Sequence, residues 1–458
     1  MQFLGQREMH KINHANIKDW AKNYKGELFD GILCDPPYEL GFMGKSWDSS
    51  GIAFDSEMWA DLLRLLKPGA HLLAFSGSRT YHRMAVAIED AGFEIRDQLI
   101  WMYGSGFPKA LDISKALDKS LGETRERIKV PEAARGSVDY GKYNGEIDDN
   151  NPITDIAKLY QGYKTSLKPA HEPCVLARKP IEGTVAQNVL KHGTGGLNID
   201  GTRVGTTGAR FNGRKVDSDI YGKYGVAKPK EDYNMGRFPA NLIHDGSDEV
   251  EAVFPQTKSG AMNSTTKGHD PDTFNTYGKQ YVRQVTNPAS TGSASRFFYT
   301  AKASKSERNA GLEGFEGNTQ QTLIGNSPTC VDCNKTYNGT NNHNDCSGEM
   351  FNKPRVSQTN HHPTVKPLSL TKYLATLIKP PTGGRLLVPF SGSGSEMIGA
   401  LQAGWEYVEG VELTEEYIPI AEARIKYWQN IPQTSSKPKV SARKVEPVQN
   451  KAESLTLF

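Results

Sequence analysis

The sequence predicts an α/β fold in which helices cover a parallel β-sheet. Three observations support this class. Short apolar segments alternate with amphipathic segments near both ends of the 458-residue chain, a Pro-Pro turn with an acidic residue follows one apolar segment, and a Gly/Ser turn follows another. Strand–helix–strand order implies parallel strands covered by helices, and ligands of such sheets bind where the strands end. The length allows two or three domains of about 150 residues each.

The N-terminal part alternates strands and helices. Phe29–Cys34 is an apolar run before two prolines, which indicates a buried strand. Asp55 or Ser56 can cap a helix with its apolar residues on one face, and Pro68-Gly69 is expected to end that helix. The next elements are a strand that starts at His71, a helix over Tyr81–Ala91 and a strand over Ile95–Tyr103.

The C-terminal part repeats this alternation. The expected elements are a helix over Leu368–Ile378, a strand over Arg385–Val388, a helix over Ser395–Ala403, a strand over Tyr407–Leu413 and a helix over Glu415–Trp428. We expect the two α/β parts to complete one sheet. Beyond Pro432 the sequence is rich in Lys, Ser and Pro, which predicts a disordered tail.

The middle of the chain, residues 120–360, is rich in Gly, Asn, Thr and Ser and has little periodicity apart from a strand at Pro173–Ala177. A long irregular stretch between two α/β parts indicates an inserted recognition region. The predicted divisions are therefore 1–180, 181–360, 361–430 and a tail at 431–458. Over Gln256–Asn309, eight Lys and Arg stand against three acidic residues, an excess that favours contact with phosphates, with a solvated loop as the alternative.

The overall composition narrows the class of protein. The net charge of +3 does not by itself indicate a nucleic-acid binder, and the mean hydropathy of −0.57 is typical of a soluble protein. No apolar run approaches the roughly 18 residues of a membrane span, and the start lacks an apolar signal core, so we expect a cytoplasmic protein without a membrane segment. Cys34 and Cys174 are expected to be buried thiols, and an odd total of five cysteines argues against a disulfide framework.

The sharpest motif is Asp35-Pro36-Pro37-Tyr38, directly after the strand at Phe29–Cys34. An amino group on a heteroaromatic ring is a poor nucleophile because its lone pair is delocalised into the ring. A carboxylate and a neighbouring backbone carbonyl can accept its two N–H bonds and favour a pyramidal nitrogen, while Tyr38 can stack on the ring. The alternative is an ordinary turn with a buried tyrosine.

A second motif, 390–395 (FSGSGS), lies between a strand and a helix. Glycines there allow the backbone to approach a ligand at a helix N-terminus. Glu412 ends the next strand, eighteen positions after Gly394, a spacing that suits a carboxylate gripping ribose hydroxyls. The chain has no GxxxxGK[ST] loop, which disfavours a phosphate-cradling NTPase.

Together, DPPY and FSGSGS resemble the amino-methylating DNA methyltransferases. The order of motifs, with DPPY first, then a variable region, then 362–367 (HPTVKP) and the glycines, resembles the permuted β class of bacteria and phages. The resemblance implies a circularly permuted, Rossmann-like methyltransferase sheet that binds S-adenosylmethionine, with an inserted irregular target-recognition region. It implies a catalytic role for Asp35, Pro36, Pro37 and Tyr38. It implies cofactor contacts for Asn16, Asp35, Thr364, Lys366, Phe390, Ser391, Gly392, Ser393, Gly394, Ser395 and Glu412.

The chain also departs from the family pattern. Val388-Pro389-Phe390 stands where the family usually has Asp-Pro-Phe, so a carboxylate is missing. Ala15-Asn16 stands where Gly-Asp is common, and Asn16 can still hydrogen-bond the cofactor adenine. His171-Glu172 resembles a His-Glu element on a later strand of the catalytic half.

The function that this resemblance implies is transfer of a methyl group to adenine N6 in double-stranded DNA, with the base flipped out of the duplex. Asp at the first motif position usually accompanies adenine in the family, whereas Ser accompanies cytosine in the β class. Cytosine N4 methylation, a catalytically silent DNA-binding relative, and an RNA or protein methyltransferase are the alternatives. No nuclease site is recognisable, and a homodimer or a cognate restriction nuclease stays open.

A possible metal site follows from Cys330, Cys333, His343 and Cys346. Four such ligands within a short segment match a tetrahedral structural zinc site. The segment is too poor in apolar residues to build its own core, so a metal would stabilise it. The alternative is a loop with spare thiols.

Overall fold

The computed structural model describes most of the two α/β parts and fragments of the middle. The described residues are 9–41, 46–106, 110–129, 146–205, 236–260, 289–302, 304–313, 315, 360–362 and 364–431, and short strands at 210–212, 217–218, 222–223, 274–275, 278–279, 284–286, 329–330 and 350–351. The predicted tail therefore lies outside them, apart from residue 431.

Nine described strands form one sheet. In chain order they are β1 His10–His14, β2 Phe29–Cys34, β3 Leu66–Phe75, β4 Glu94–Met102, β5 His171–Arg178, β6 Leu242–His244, β7 Tyr299–Thr300, β8 Arg385–Val388 and β9 Tyr407–Glu412. Their order across the sheet is β1-β9-β8-β2-β3-β5-β4-β6-β7. Neighbours are parallel except that β5 is antiparallel to both β3 and β4. The predicted α/β class is confirmed, with one reversed strand that the sequence did not reveal.

Eleven α-helices are described. They are α1 Ile17–Asn23, α2 Ser56–Arg64, α3 Tyr81–Asp90, α4 Ile113–Ser120, α5 Asp155–Leu159, α6 Val185–His192, α7 Asp248–Glu251, α8 Lys305–Asn309, α9 Leu368–Ile378, α10 Ser395–Gln402 and α11 Ile418–Asn430. None of these helices has the length and apolar character that crossing a membrane requires.

Two apolar clusters cover the two faces of the sheet. Ile32 and Leu72 belong to the cluster on the side of α1, α2 and α3, whereas Leu33 and Leu73 belong to the cluster on the side of α9 and α10. Successive strand residues point to opposite faces, so a strand that is buried on both faces reads as a continuous apolar run. For this reason β2 could be predicted from its apolar run in the sequence.

The helix predicted to end at Pro68-Gly69 ends earlier, at Arg64, as a correction to the sequence analysis. Strand β3 begins at Leu66 and contains both residues. The cause is sheet pairing: Leu66 is the partner of Phe29 in β2, and the Phe29 N–H donates to the Leu65 carbonyl. Tertiary pairing therefore overrides the local signal that Pro-Gly ends a helix.

The middle of the chain is less irregular than expected. β6 lies parallel to β4, and β7 lies parallel to β6, so both extend the edge of the main sheet. Helix α6 carries a capping box in which Thr184 and Gln187 satisfy each other's backbone N–H groups. Strands of two and three residues are too short to show a periodic pattern, which is why the sequence did not predict them.

Helices α9 and α10 pack closely enough that only glycine fits at position 399. A Cβ atom there would lie 2.3 Å from Thr371 Oγ1 and 2.6 Å from the backbone nitrogen of Lys372. Helix propensity alone predicts that Gly399→Ala stabilises the protein by about 1 kcal/mol. We expect steric overlap to outweigh this gain, so that Gly399→Ala lowers the free energy of unfolding by about 1–3 kcal/mol.

Urea unfolding measures this change, and Gly196→Ala is the matched control because a Cβ atom at Gly196 meets nothing within 4 Å. A Gly399→Ala variant as stable as the control would contradict the close packing of the two helices.

Candidate active site

One cavity of about 940 Å³ opens at the edge of the sheet where the parallel strands end. Residues that follow β1, β2, β3, β8 and β9 form its walls. Because β5 runs in the opposite direction, its first residues, His171 and Glu172, reach the same edge. Ligands of open α/β sheets bind at this edge, and the volume lies within the usual range of ligand pockets.

The cavity brings together all the residues predicted for catalysis and nearly all of those predicted for cofactor binding. Its lining includes Asn16, Asp35, Pro36, Pro37, Tyr38, Thr364, Lys366, Phe390, Ser391, Gly392, Ser393, Ser395 and Glu412. Gly394 is not part of the lining and is instead the N-cap of α10, with a φ of 81° that favours glycine. The role of each residue stays a prediction.

A buried ion-pair network occupies the floor of the cavity. The Lys366 ammonium lies 2.5 Å from Asp35 Oδ2 and 3.2 Å from Glu172 Oε2. It also donates to the Tyr38 hydroxyl at 3.0 Å, and that hydroxyl donates to Glu172 Oε2 at 2.9 Å. The three acceptors match the three N–H bonds of an ammonium group.

The network determines the protonation of Lys366 and Tyr38. Burial alone lowers the pKa of Lys366, but the negative charges of Asp35 and Glu172 outweigh it and raise that pKa above its ordinary value. Burial, with the same two carboxylates, also raises the pKa of Tyr38 well above its ordinary value. Near neutral pH, Lys366 is therefore charged and Tyr38 keeps its proton.

The Asp35 carboxylate has one oxygen left over. Oδ2 is bound by Lys366, whereas Oδ1 is buried and has no hydrogen-bond partner among the described residues. A buried carboxylate oxygen without a donor is costly, so this atom is suited to accept a hydrogen bond from a ligand. The Lys366 contact holds the carboxylate in one orientation while it does so.

The glycine motif is supported from behind by a fully buried arginine. Arg424 of α11 donates to the backbone carbonyl of Ser393 and to the hydroxyls of Ser393 and Ser395. The Gly392 N–H donates to Glu412 Oε2 at 2.7 Å. Gly392 has a φ of 47°, and a Cβ atom there would lie 2.7 Å from His362 Nε2, so a side chain does not fit.

Two positions where the chain departs from the family pattern have different surroundings. Asn16 is exposed, lines the cavity and caps α1 by accepting from the Lys18 N–H at 2.9 Å. Val388 ends β8, is fully buried in the apolar cluster beside α10, and does not line the cavity. The missing carboxylate is therefore replaced by core packing at this position.

The predicted zinc ligands fall almost entirely outside the described residues. Cys333, His343 and Cys346 are not described, and Cys330 is described only through the backbone pairing of 329–330 with 350–351. Within the described ranges, no group of His, Cys, Asp and Glu residues is arranged to hold a metal ion. The zinc site stays a prediction.

The cationic stretch at Gln256–Asn309 is described only in part, and two of its arginines serve the fold. Arg296 donates to the carbonyls of Gly292 and Ser293. Arg308 donates to the carbonyls of Asn360 and His362. These contacts reduce the number of charges that are available for phosphates below the sequence count.

Three cavity residues were missed as site residues in the sequence analysis: Glu172, His362 and Glu396. In the sequence, Glu172 stood out only as part of the His171-Glu172 element. Its ion-pair partner, Lys366, lies far along the chain. Burial lowers the pKa of His362 to about 4, so the imidazole is neutral near pH 7. Glu396 could have been noticed as the acidic residue of α10, because the rest of that helix is apolar or small apart from Gln402.

A protein family and several known proteins are similar to this chain. The sequence profile of the DNA methylase family N6_N4_Mtase matches residues 29–423. The type II methyltransferase M.HindIII of Haemophilus influenzae is 27% identical over 191 residues, which cover 41% of this chain and 50% of that protein. YubD of Escherichia coli is 38% identical over 71 residues, 16% of this chain and 30% of that protein. The chain thus spans half or less of these curated relatives.

Among solved structures, the complex of M1.HpyAVI with SAM aligns with 91% of this chain and 99% of its own length, at 14% identity and a TM-score of 0.36. The profile match covers most of the chain and includes both motifs that line the cavity. The chain therefore belongs to the N6/N4 DNA methylase family.

Proposed function

We propose that this protein is an S-adenosylmethionine-dependent DNA methyltransferase that methylates adenine N6 in double-stranded DNA. The observation that carries the proposal is the unpartnered Asp35 Oδ1, held by Lys366 in a cavity whose other wall is the glycine motif. The cavity therefore offers a hydrogen-bond acceptor for an amino group beside a surface suited to the cofactor.

The target amino group is made nucleophilic by its acceptors. Asp35 Oδ1 accepts one N–H bond, and a backbone carbonyl of the Pro36-Pro37 turn accepts the other, so the nitrogen lone pair leaves conjugation with the ring. Tyr38 stacks on the base, and its hydroxyl is held by Glu172 and Lys366. Positioning of the amino group against the methyl group supplies much of the rate.

The residues around the glycine motif fit the cofactor. Gly392 and its neighbours offer close backbone approach, Glu412 reaches the cavity from the end of β9, and Asn16 lines the cavity after the neighbouring strand β1. S-adenosylmethionine, when bound, supplies an electrophilic methyl group on a sulfonium. After transfer the amino group carries an extra proton, and Asp35 Oδ1 is the acceptor in contact with it.

Duplex DNA is the proposed substrate, and the region 181–360 is the proposed target-recognition region. The target base leaves the duplex to enter the cavity. Arg79 and Lys168 are exposed cavity residues placed to contact the phosphates beside that base. Cytoplasmic location, and assembly as a homodimer or with a restriction nuclease, are not part of the proposal.

Adenine is preferred to cytosine because Asp, and not Ser, stands at position 35. Both bases present an amino group to the same two acceptors, so cytosine N4 is the second candidate. A silent DNA-binding relative is disfavoured because the Asp35 carboxylate is intact and is oriented by Lys366.

Mass spectrometry of nucleosides tests the reaction directly. DNA treated with the protein and labelled S-adenosylmethionine should yield labelled N6-methyladenine. Asp35→Ala should abolish the label and leave cofactor binding measured by calorimetry unchanged, because Asp35 belongs to the base pocket. Asp90→Ala, at an exposed position of α3, is the control with full activity.

Label found only in N4-methylcytosine would mean that the target base is cytosine and that the proposed mechanism still holds. No label in either base, across varied duplexes, would favour the silent DNA-binding protein.

Lys366→Met tests whether Asp35 must be held in one orientation, because the variant keeps the Asp35 carboxylate and removes the ammonium that binds it. Without the ammonium, the Asp35 and Glu172 carboxylates face each other uncompensated, and Asp35 loses the contact that holds it in one orientation. We expect kcat to fall about tenfold or more at neutral pH, equivalent to roughly 1.4 kcal/mol. Lys426→Met, exposed on α11, is the matched control. A variant whose kcat is unchanged and whose KM alone rises would refute the role of Lys366.

We also propose that Cys330, Cys333, His343 and Cys346 bind one structural zinc ion. Support comes from the ligand types and their spacing in the sequence. Metal analysis of protein prepared without chelator should find one zinc per chain, and Cys333→Ser with Cys346→Ser should remove it. Zinc well below one equivalent in the unaltered protein would reject the site.

A further inference from the structure

Glu396 is a buried acid in the cavity wall that the proposed mechanism does not use. It lies in the first turn of α10, its side chain is 4% exposed, and it lines the cavity directly after Ser395. Its Oε1 atom is buried and has no hydrogen-bond partner among the described residues. A buried carboxylate oxygen without a donor is unfavourable, so the free protein carries a cost that a suitable ligand would remove.

The two cations that act on Glu396 direct their hydrogen bonds to other groups, and the Arg424 Nε atom is buried without a partner among the described residues. Lys366 gives its hydrogen bonds to Asp35, Tyr38 and Glu172. Arg424 packs beneath the glycine motif and directs its Nη1 atom at Ser393 and Ser395. Both cations act on Glu396 only through their charge, while Asp35 opposes them as a like charge.

We propose that the Glu396 carboxylate binds the α-ammonium group of the methionine part of S-adenosylmethionine. This inference rests on the proposed function. An ammonium group has three N–H bonds to donate, whereas the sulfonium has none, so within the methionine part only the ammonium can donate to an acceptor that lacks a hydrogen bond. The position beside Ser391–Ser395 places this acceptor at the part of the cavity that the glycine motif forms.

The substitution at Val388 supports the same assignment. The position that usually carries a carboxylate in this family is here a valine packed in the apolar core. Glu396 places a carboxylate in the cavity. It lies on the helix that follows the glycines, whereas Val388 lies on the strand that precedes them. Val388 and Met397, the neighbour of Glu396, belong to the same apolar cluster.

Calorimetry with Glu396→Gln and three ligands tests the proposal. The ligands are S-adenosylmethionine, S-adenosylhomocysteine, which has the ammonium but no sulfonium, and 5′-methylthioadenosine, which has neither. We expect the variant to bind the first two at least tenfold more weakly and to bind 5′-methylthioadenosine as the unaltered protein does. Glu422→Gln, exposed on α11, should bind all three normally.

Other outcomes overturn the proposal in distinguishable ways. Weaker binding of S-adenosylmethionine alone would place Glu396 at the sulfonium, and equal weakening of all three ligands would make its role structural. If the unaltered protein binds S-adenosylhomocysteine no more tightly than 5′-methylthioadenosine, the ammonium contact is refuted and the proposed function is not. An unaltered protein that binds none of the three would refute the proposed function itself.

A second measurement needs no variant. Burial, with the charge of Asp35, raises the pKa of Glu396 to about 7, whereas Lys366 and Arg424 lower it. The ionised form binds the ammonium, so affinity for S-adenosylhomocysteine should fall by up to about tenfold for each pH unit below 7. Affinity for 5′-methylthioadenosine should fall less over that range, because Glu412, whose pKa burial also raises, is assigned to the ribose that the two ligands share. His362, with its pKa near 4, stays neutral throughout and does not produce this dependence. Equal pH dependence for the two ligands would overturn the proposal.

Discussion

One buried ammonium group holds the cavity together. Lys366 and Asp35 are 331 residues apart in sequence, yet their side chains are in contact, and the same ammonium reaches Glu172 and Tyr38. Two carboxylates this close would repel each other without a cation between them, and either one would be an uncompensated buried charge if the lysine were absent. The network thus ties the segment that leads into α9 to the two strands that carry the acids. The free oxygen of Asp35 has a defined direction because its other oxygen is held.

The direction of β5 is the second constraint on the site. Parallel strands all end at one edge, so residues that follow β2 and β8 meet there without special features. Glu172 reaches that edge only because β5 is reversed and therefore begins where its neighbours finish. The reversed strand pairs with β3 and β4 along its length, so the position of Glu172 depends on the whole register of the sheet and not on its local sequence.

The sequence predicted what is local and missed what depends on tertiary contacts. Phe29–Cys34, Leu368–Ile378 and Arg385–Val388 have the predicted bounds because their apolar runs or turn residues are decisive by themselves. Both motifs lie at strand ends, so their place in the cavity followed from the class of fold. The start of β3 at Leu66 and the strands β6 and β7 depend on pairing partners, and no periodicity records those partners. The Glu396 carboxylate became notable only when its burial and lack of a partner were known.

The distribution of charge in the cavity connects the fold to the chemistry proposed for it. Five acidic residues line the described wall, namely Asp35, Asp48, Glu172, Glu396 and Glu412, against three cations, Arg79, Lys168 and Lys366. Of these cations, only Lys366 is buried, whereas Arg79 and Lys168 are exposed. An acidic interior disfavours phosphates and favours a cationic cofactor, and exposed cations near solvent favour phosphates outside. In the proposed function, a nucleic acid contributes an uncharged base to the interior while its backbone stays at the surface. That separation requires the base to leave the helical stack, so the distribution of charge in the cavity supports the proposed base flipping.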